Sequence, residues 1–120
     1  MASALWTWIA GSNIPDQSGI YGSHGIPASG NVPSARAGAA SWIDGNDHFW
    51  VFGGFGRAAA GSLGDLNDLW RFEGLHWTWI AGHDGTNQSG VCGEFRQPAA
   101  GNVPGARTGA SGWVDGAGHF

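Results

Sequence analysis

The hexapeptide Trp6-Thr7-Trp8-Ile9-Ala10-Gly11 occurs a second time as Trp77-Thr78-Trp79-Ile80-Ala81-Gly82. The same displacement of 71 positions, Trp6 to Trp77, carries Gln17-Ser18-Gly19 onto Gln88-Ser89-Gly90 and Gly30-Asn31-Val32-Pro33 onto Gly101-Asn102-Val103-Pro104. It also carries Arg36 onto Arg107, and Trp42, Asp44, His48 and Phe49 onto Trp113, Asp115, His119 and Phe120. A tandem repeat narrows the choice of fold sharply. Each unit is one supersecondary piece that cannot bury its apolar faces alone and relies on the units beside it. At this period the 120 residues hold fewer than two units. The reading is of a chain that starts in the last strand of one unit, runs through a second and enters a third. Such a chain is expected to be a piece of a longer array or one that its neighbours complete.

Within the unit, short apolar runs alternate with turn chemistry. Twenty-three glycines and eight tryptophans fit many short strands joined by tight turns, an all-β pattern. Strands are predicted at Leu5 to Ala10, Arg36 to Asp44, His48 to Phe55, Leu66 to Glu73 and Leu75 to Ile80, with a further strand at Arg107 to Val114 and the beginning of another after it. Asp44-Gly45-Asn46-Asp47 is a hairpin turn, because Asp, Asn and Gly accept the positive φ that such turns need. Gly53-Gly54 ends an aromatic run where a Cβ would clash. The two long connections, 11–34 and 82–105, are rich in Gly, Ser, Asn and Pro; loops of that length are functional or ordered by their neighbours.

The order Arg36 with Gly38, then Gly53-Gly54, then Phe72-Glu73 with Trp77 five residues beyond Phe72, resembles the kelch repeat, one four-stranded antiparallel blade of a β-propeller. The resemblance covers essentially the whole chain. It departs from the usual pattern at Ala39, where a histidine often follows the glycine, and in loop length. It implies an incomplete propeller, or one completed by oligomerisation. Residues 1–35 would be the last strand of a first blade plus a long loop, 36–82 a complete blade, and 83–120 a second loop with the start of a third blade. The long unit with paired tryptophans is similar to arrays in bacterial surface or secreted proteins and to the central domain of galactose oxidase. An extracellular setting follows from the resemblance alone. Arg36 and Arg107 are expected to tie adjacent blades together through carbonyls or a carboxylate, with an anion site as the alternative; if the first strand of the blade lies innermost, the long loops cluster on one face of the propeller.

Several chemistries find little support in the residues. Gly54-Phe55-Gly56-Arg57-Ala58-Ala59 fits a loose dinucleotide fingerprint, but no helical periodicity follows it. The five histidines lack the i, i+4 spacing of a helical metal site, and Cys92 is the only cysteine. No metal, cofactor or catalytic set is therefore assigned. Asp44, Asp115, Asp65 and Asp68 sit beside Gly or Asn and read as turn caps, with Asn67 and Asp68 fixing the turn into a strand. A net charge of −4 with five dispersed arginines offers no phosphate-binding patch, so nucleic acid is not expected. No apolar run approaches the roughly 18 residues of a membrane span. The opening Met1-Ala2-Ser3-Ala4-Leu5-Trp6 does not read as a secretory signal.

What remains is binding. The two long loops differ most at Ser12 to Asp16 against His83 to Asn87, and at Ser23 to Ile26 against Glu94 to Gln97. Divergence within a matched frame suits a ligand-reading surface, with Asp16, Tyr21, His24, Asn87, Phe95 and Arg96 as candidates. The expected role is a non-catalytic module that binds protein or carbohydrate, or that serves structurally beside other blades or copies of itself. The alternatives are part of a galactose-oxidase-like enzyme whose catalytic residues lie elsewhere, and a self-assembling repeat element.

Overall fold

The computed structural model describes residues 3–120; Met1 and Ala2, in the predicted 1–35 segment, lie outside the described residues. The chain is all-β, with one antiparallel sheet of five strands: β1 (Arg36–Ala37), β2 (Ala40–Ile43), β3 (Phe49–Arg57), β4 (Leu63–Phe72) and β5 (Trp77–Ala81). β1 and β2 are one predicted strand broken at Gly38 and Ala39. Both pair with β3, which pairs with β4, which pairs with β5. The break faces the glycine pair, where the β3–β4 register slips between Phe52 and Gly54. Gly53 and Gly54 have φ of 64° and 98°, which side-chain-bearing residues rarely adopt. A Cβ at Gly54 would lie 2.8 Å from the carbonyl of Ala37. The bulge thus lets neighbouring backbone segments approach closely at this point of β3.

The register sorts side chains onto two faces. Val51, Trp70 and Trp79 align across three strands on one face, as do Phe49, Phe72 and Trp77. Ala40 and Phe52 share the other face with Leu69, and Trp42 and Trp50 with Arg71 and Thr78. Both faces carry mostly apolar side chains. The first is covered by the loop 11–34, whose Tyr21 packs on Trp70 and edge-on to Trp79 at centroid distances of 4.9 and 5.0 Å. The second meets the segment 103–120, whose Phe120 lies 5.0 Å from Trp42 and 4.7 Å from Trp50. Trp70 and Leu66 are fully buried, and Tyr21 and Trp50 nearly so.

Both long loops are ordered, and alike. Ile20 bridges Val32, and Val91 bridges Val103. Ala35 N–H donates to Gln17 and Ala106 N–H to Gln88; Asn31 Nδ2 reaches Ile26 and Asn102 Nδ2 reaches Gln97. Asp16 and Asn87 share a positive φ, as do Gly25 and Arg96. The first loop also runs along the outer edge of β5. Gly25 N–H donates to Trp79, Asn31 Nδ2 to Trp77, and Ala28 bridges Trp77.

Two predicted strands are absent, and so is the predicted beginning of another after Val114. Leu5 to Ala10 and Arg107 to Val114 carry no strand, although their sequences match β5 and the β1–β2 segment. A strand needs a ladder partner, and at this period the counterparts of β4 for the first and β3 for the second fall outside residues 2–119. β3 and β4 also extend beyond the predictions, to Arg57 and back to Leu63. The predicted 57–65 connection shrinks to a tight turn closed by Ala58 N–H to Ser62 and Gly61 N–H to Ala58.

Candidate functional site

A buried polar lock sits under the first loop. Arg36 reaches across the bulge of β3 and grips Asp68 of β4 in bidentate fashion, at 2.6 and 2.8 Å. Nη1 also donates to the Gly53 carbonyl, Nε to the Ser34 carbonyl and Nη2 to the Ser34 hydroxyl. Asp68 Oδ2 further accepts the Tyr21 hydroxyl and the Trp70 indole N–H, both at 2.7 Å. The carboxylate is fully buried and the guanidinium nearly so. Such a planar fork suits a carboxylate better than a lysine would. Burial is the main cause that pushes the Tyr21 hydroxyl far above its usual range; the neighbouring Asp68 carboxylate adds to it, while Arg36 opposes.

These contacts revise three sequence readings. Arg36 ties strands within one sheet. Asp68 lies inside β4 and is the centre of the lock rather than a turn cap. Asn67, also inside β4, holds the second loop: it accepts His83 N–H and donates to the Pro104 carbonyl. Asp44 does cap its turn. It accepts the N–H groups of Asn46 and His48 and, at 2.8 Å, the Trp50 indole. The indole bond is the main cause that holds its carboxyl down to about 2, against opposing desolvation and with help from the two backbone donors. Asp115 repeats the cap with Ala117 and His119, and its carboxyl is lowered chiefly by the His119 backbone N–H.

The candidate binding residues scatter. Tyr21 is 5% exposed and belongs to the lock. Asn87 joins the second loop to β4 through Asp65, donating its N–H to the Asp65 carbonyl and accepting Asp65 N–H on its side chain. Asp16 occupies the equivalent position of the first loop and is exposed. His24 lies 3.5 Å from Trp79, ring centroid to centroid, and its Nε2 is 3.1 Å from the Gly82 carbonyl. Phe95 is 87% exposed, with the Arg96 guanidinium over its ring. His24 alone borders a recess of about 370 Å³ between the two loops, with Ile80, His83, Val91 and Val103. Among the described residues no three His, Cys, Asp or Glu side chains gather as a metal-binding group, and Cys92 is exposed.

A second hollow, of about 470 Å³, was not foreseen. It opens between the sheet residues Trp42, Phe52 and Leu69 and the later residues Pro104, Arg107 and Trp113. Its lining is largely apolar, and Arg107 is its one cation. Here the repeat offered a signal, because Arg107 is the counterpart of Arg36. The two segments also touch: Gly109 N–H donates to the Gly38 carbonyl, and the Arg107 backbone bonds to Gly54 and Leu66. Comparison with protein-family models, curated proteins and solved structures returned no match for this chain.

Proposed function

We propose that this chain is a kelch-type β-propeller module with a non-catalytic role, holding a protein or carbohydrate ligand on its long-loop surface in an extracellular repeat protein. One observation carries the reading. A single antiparallel sheet, mostly apolar on both faces, is covered on one face by the loop of its own repeat and on the other by the next copy of that repeat, with the equivalent residues Gly38 and Gly109 in contact. Stacked blades need that arrangement, in which every sheet is shielded from both sides. Recognition is assigned to the surface around His24 and the recess between the loops, where an aromatic platform adjoins polar backbone.

The architecture is tested by lengthening the chain. Because Phe120 is the counterpart of Phe49, residues 50–82 appended after Phe120 supply the strands that the third copy lacks. The expected result is a higher Tm, one cooperative transition and slow amide exchange over 107–114. Unchanged stability with fast exchange there refutes the blade reading. Binding is tested on arrays of oligosaccharides and extracellular proteins, with His24→Ala expected to weaken any hit. Oxidase turnover by the protein would refute the non-catalytic part.

A further inference from the structure

We infer that Arg107 and the apolar cleft beside it form an open copy of the Arg36 lock, and that they dock a β-hairpin carrying a Gly-Gly strand followed by an Asp-x-Trp strand. The inference rests on the repeat reading above and adds a partner chemistry to it.

Arg36 Nε is tied to the carbonyl two residues before it, Ser34, and Arg107 Nε is tied to the carbonyl of Gly105 at 2.9 Å. Ala35 and Ala106 bond back to Gln17 and Gln88 at 3.0 and 2.9 Å. The two guanidinium groups are therefore anchored through the same nitrogen by the same local backbone. In the closed copy both terminal nitrogens are used on Asp68, Gly53 and Ser34. In the open copy no described residue bonds them, and among the described residues Arg107 has no acidic partner. It is exposed and lines the cleft. A fork already held in place by one nitrogen loses less freedom on binding a carboxylate.

Partner chemistry follows from the closed copy. The acid must reach the fork across an intervening strand, and in the closed copy that strand comes close at Gly54, where a Cβ would lie 2.8 Å from the Ala37 carbonyl, while the Gly53 carbonyl accepts Arg36 Nη1. An indole two residues beyond the acid, as Trp70 is beyond Asp68, supplies a second donor to the same carboxylate at 2.7 Å. Its ring also fills the apolar space beside the carboxylate. One donor and one acceptor of the closed copy are missing on the open side, since Cys92 replaces Tyr21, which donates to Asp68, and Gly105 replaces Ser34, whose hydroxyl accepts Arg36 Nη2. The fork and the partner's own indole must then carry the carboxylate.

The test uses the full chain and a synthetic hairpin with the sequence of residues 49–72, bearing a solubilising tail. Titration calorimetry and amide shifts are the readouts. Saturable binding with shifts over 107–114 is expected. It should weaken at least tenfold with a hairpin carrying Asp68→Asn, at least tenfold with Arg107→Gln protein, and less with Arg107→Lys. Equal binding by the Asp68→Asn hairpin, shifts over 36–43 instead, or dimerisation of the chain that protects 107–114 without hairpin would each overturn the inference. The lengthened chain separates the two claims. If it gains stability while the separate hairpin does not bind, docking fails and the blade reading stands; if neither happens, both fall.

Discussion

The loops 11–34 and 82–105 have nearly the same backbone and very different surroundings. Their cross-bridges, turn bonds and left-handed positions coincide one for one. Yet the first buries Tyr21 and closes the Arg36 lock, whereas Cys92 and Arg107 at the matching places are exposed. Loop shape is therefore written locally, in Gly, Asn and Pro and in short-range bonds. Burial is set by what lies opposite. Tyr21 of the first loop packs against β4 and β5, whereas among the described residues no repeat-equivalent strands lie opposite Cys92.

That contrast can be broken most forcefully at the ion pair. Removing one partner of a buried pair leaves the other charge stranded, so Asp68→Ala should cost about 3–5 kcal/mol in urea unfolding. Arg107→Ala should stay within about 0.5 kcal/mol. Equal losses would mean that the second copy is as closed as the first. Next comes a matched pair of glycines with similar φ, 91° at Gly11 and 84° at Gly82. A Cβ at Gly82 would drive into the Asn67 carbonyl, whereas one at Gly11 meets only the Val32 side chain at 3.8 Å. Gly82→Ala is expected to cost at least about 2 kcal/mol, and Gly11→Ala about 1 kcal/mol, the strain of the left-handed backbone alone.

Finer tests use the hydroxyl and the carboxyls. Tyr21→Phe removes a bond to a buried charge and should cost about 1.5–3 kcal/mol, against less than about 0.5 kcal/mol for Cys92→Ser. Tyr21 is the only tyrosine in the chain, so absorbance at 295 nm reads it directly. It should remain un-ionised in the folded protein at pH 11, where a free phenol with a pKa of about 10 is mostly ionised. Because folding raises this pKa, its contribution is complete below pH 10 and is lost as the pH climbs above that. The smallest effect is at Asp44. Its carboxyl is depressed, so its contribution is complete above the ordinary aspartate value of about 3.9 and is lost as the pH falls toward 2. Carboxyl carbon NMR should place its midpoint well below the ordinary aspartate value of about 3.9.

The comparison also separates what could be read from the sequence from what could not. The Asp44-Gly45 turn was legible, and so was the close backbone approach at Gly53-Gly54, although that pair read as the end of a strand and is a bulge within β3. So was the sequence of strands in the sheet. Leu5 to Ala10 shows the limit. It shares Trp-Thr-Trp-Ile-Ala with β5, yet Trp6 is 99% exposed and unpaired. Strand formation depends on a partner, and local sequence does not reveal whether one is present. The lock was hidden for a related reason. Its members stand 32 and 47 residues apart, a separation with no periodic signature. Tyr21 in a polar loop therefore read as a surface residue, and Asp68 beside Asn67 read as a turn.

The way residues 24–31 run beside β5 has a consequence for how copies of this protein can meet. An outermost strand with free amides and carbonyls is a template for fibril growth. Here Gly25, Ala28 and Asn31 occupy the positions at Trp77 and Trp79 that an incoming polypeptide would need. At Trp77 and Trp79 that flank is therefore closed to an added strand, and with it to amyloid-like growth along β5.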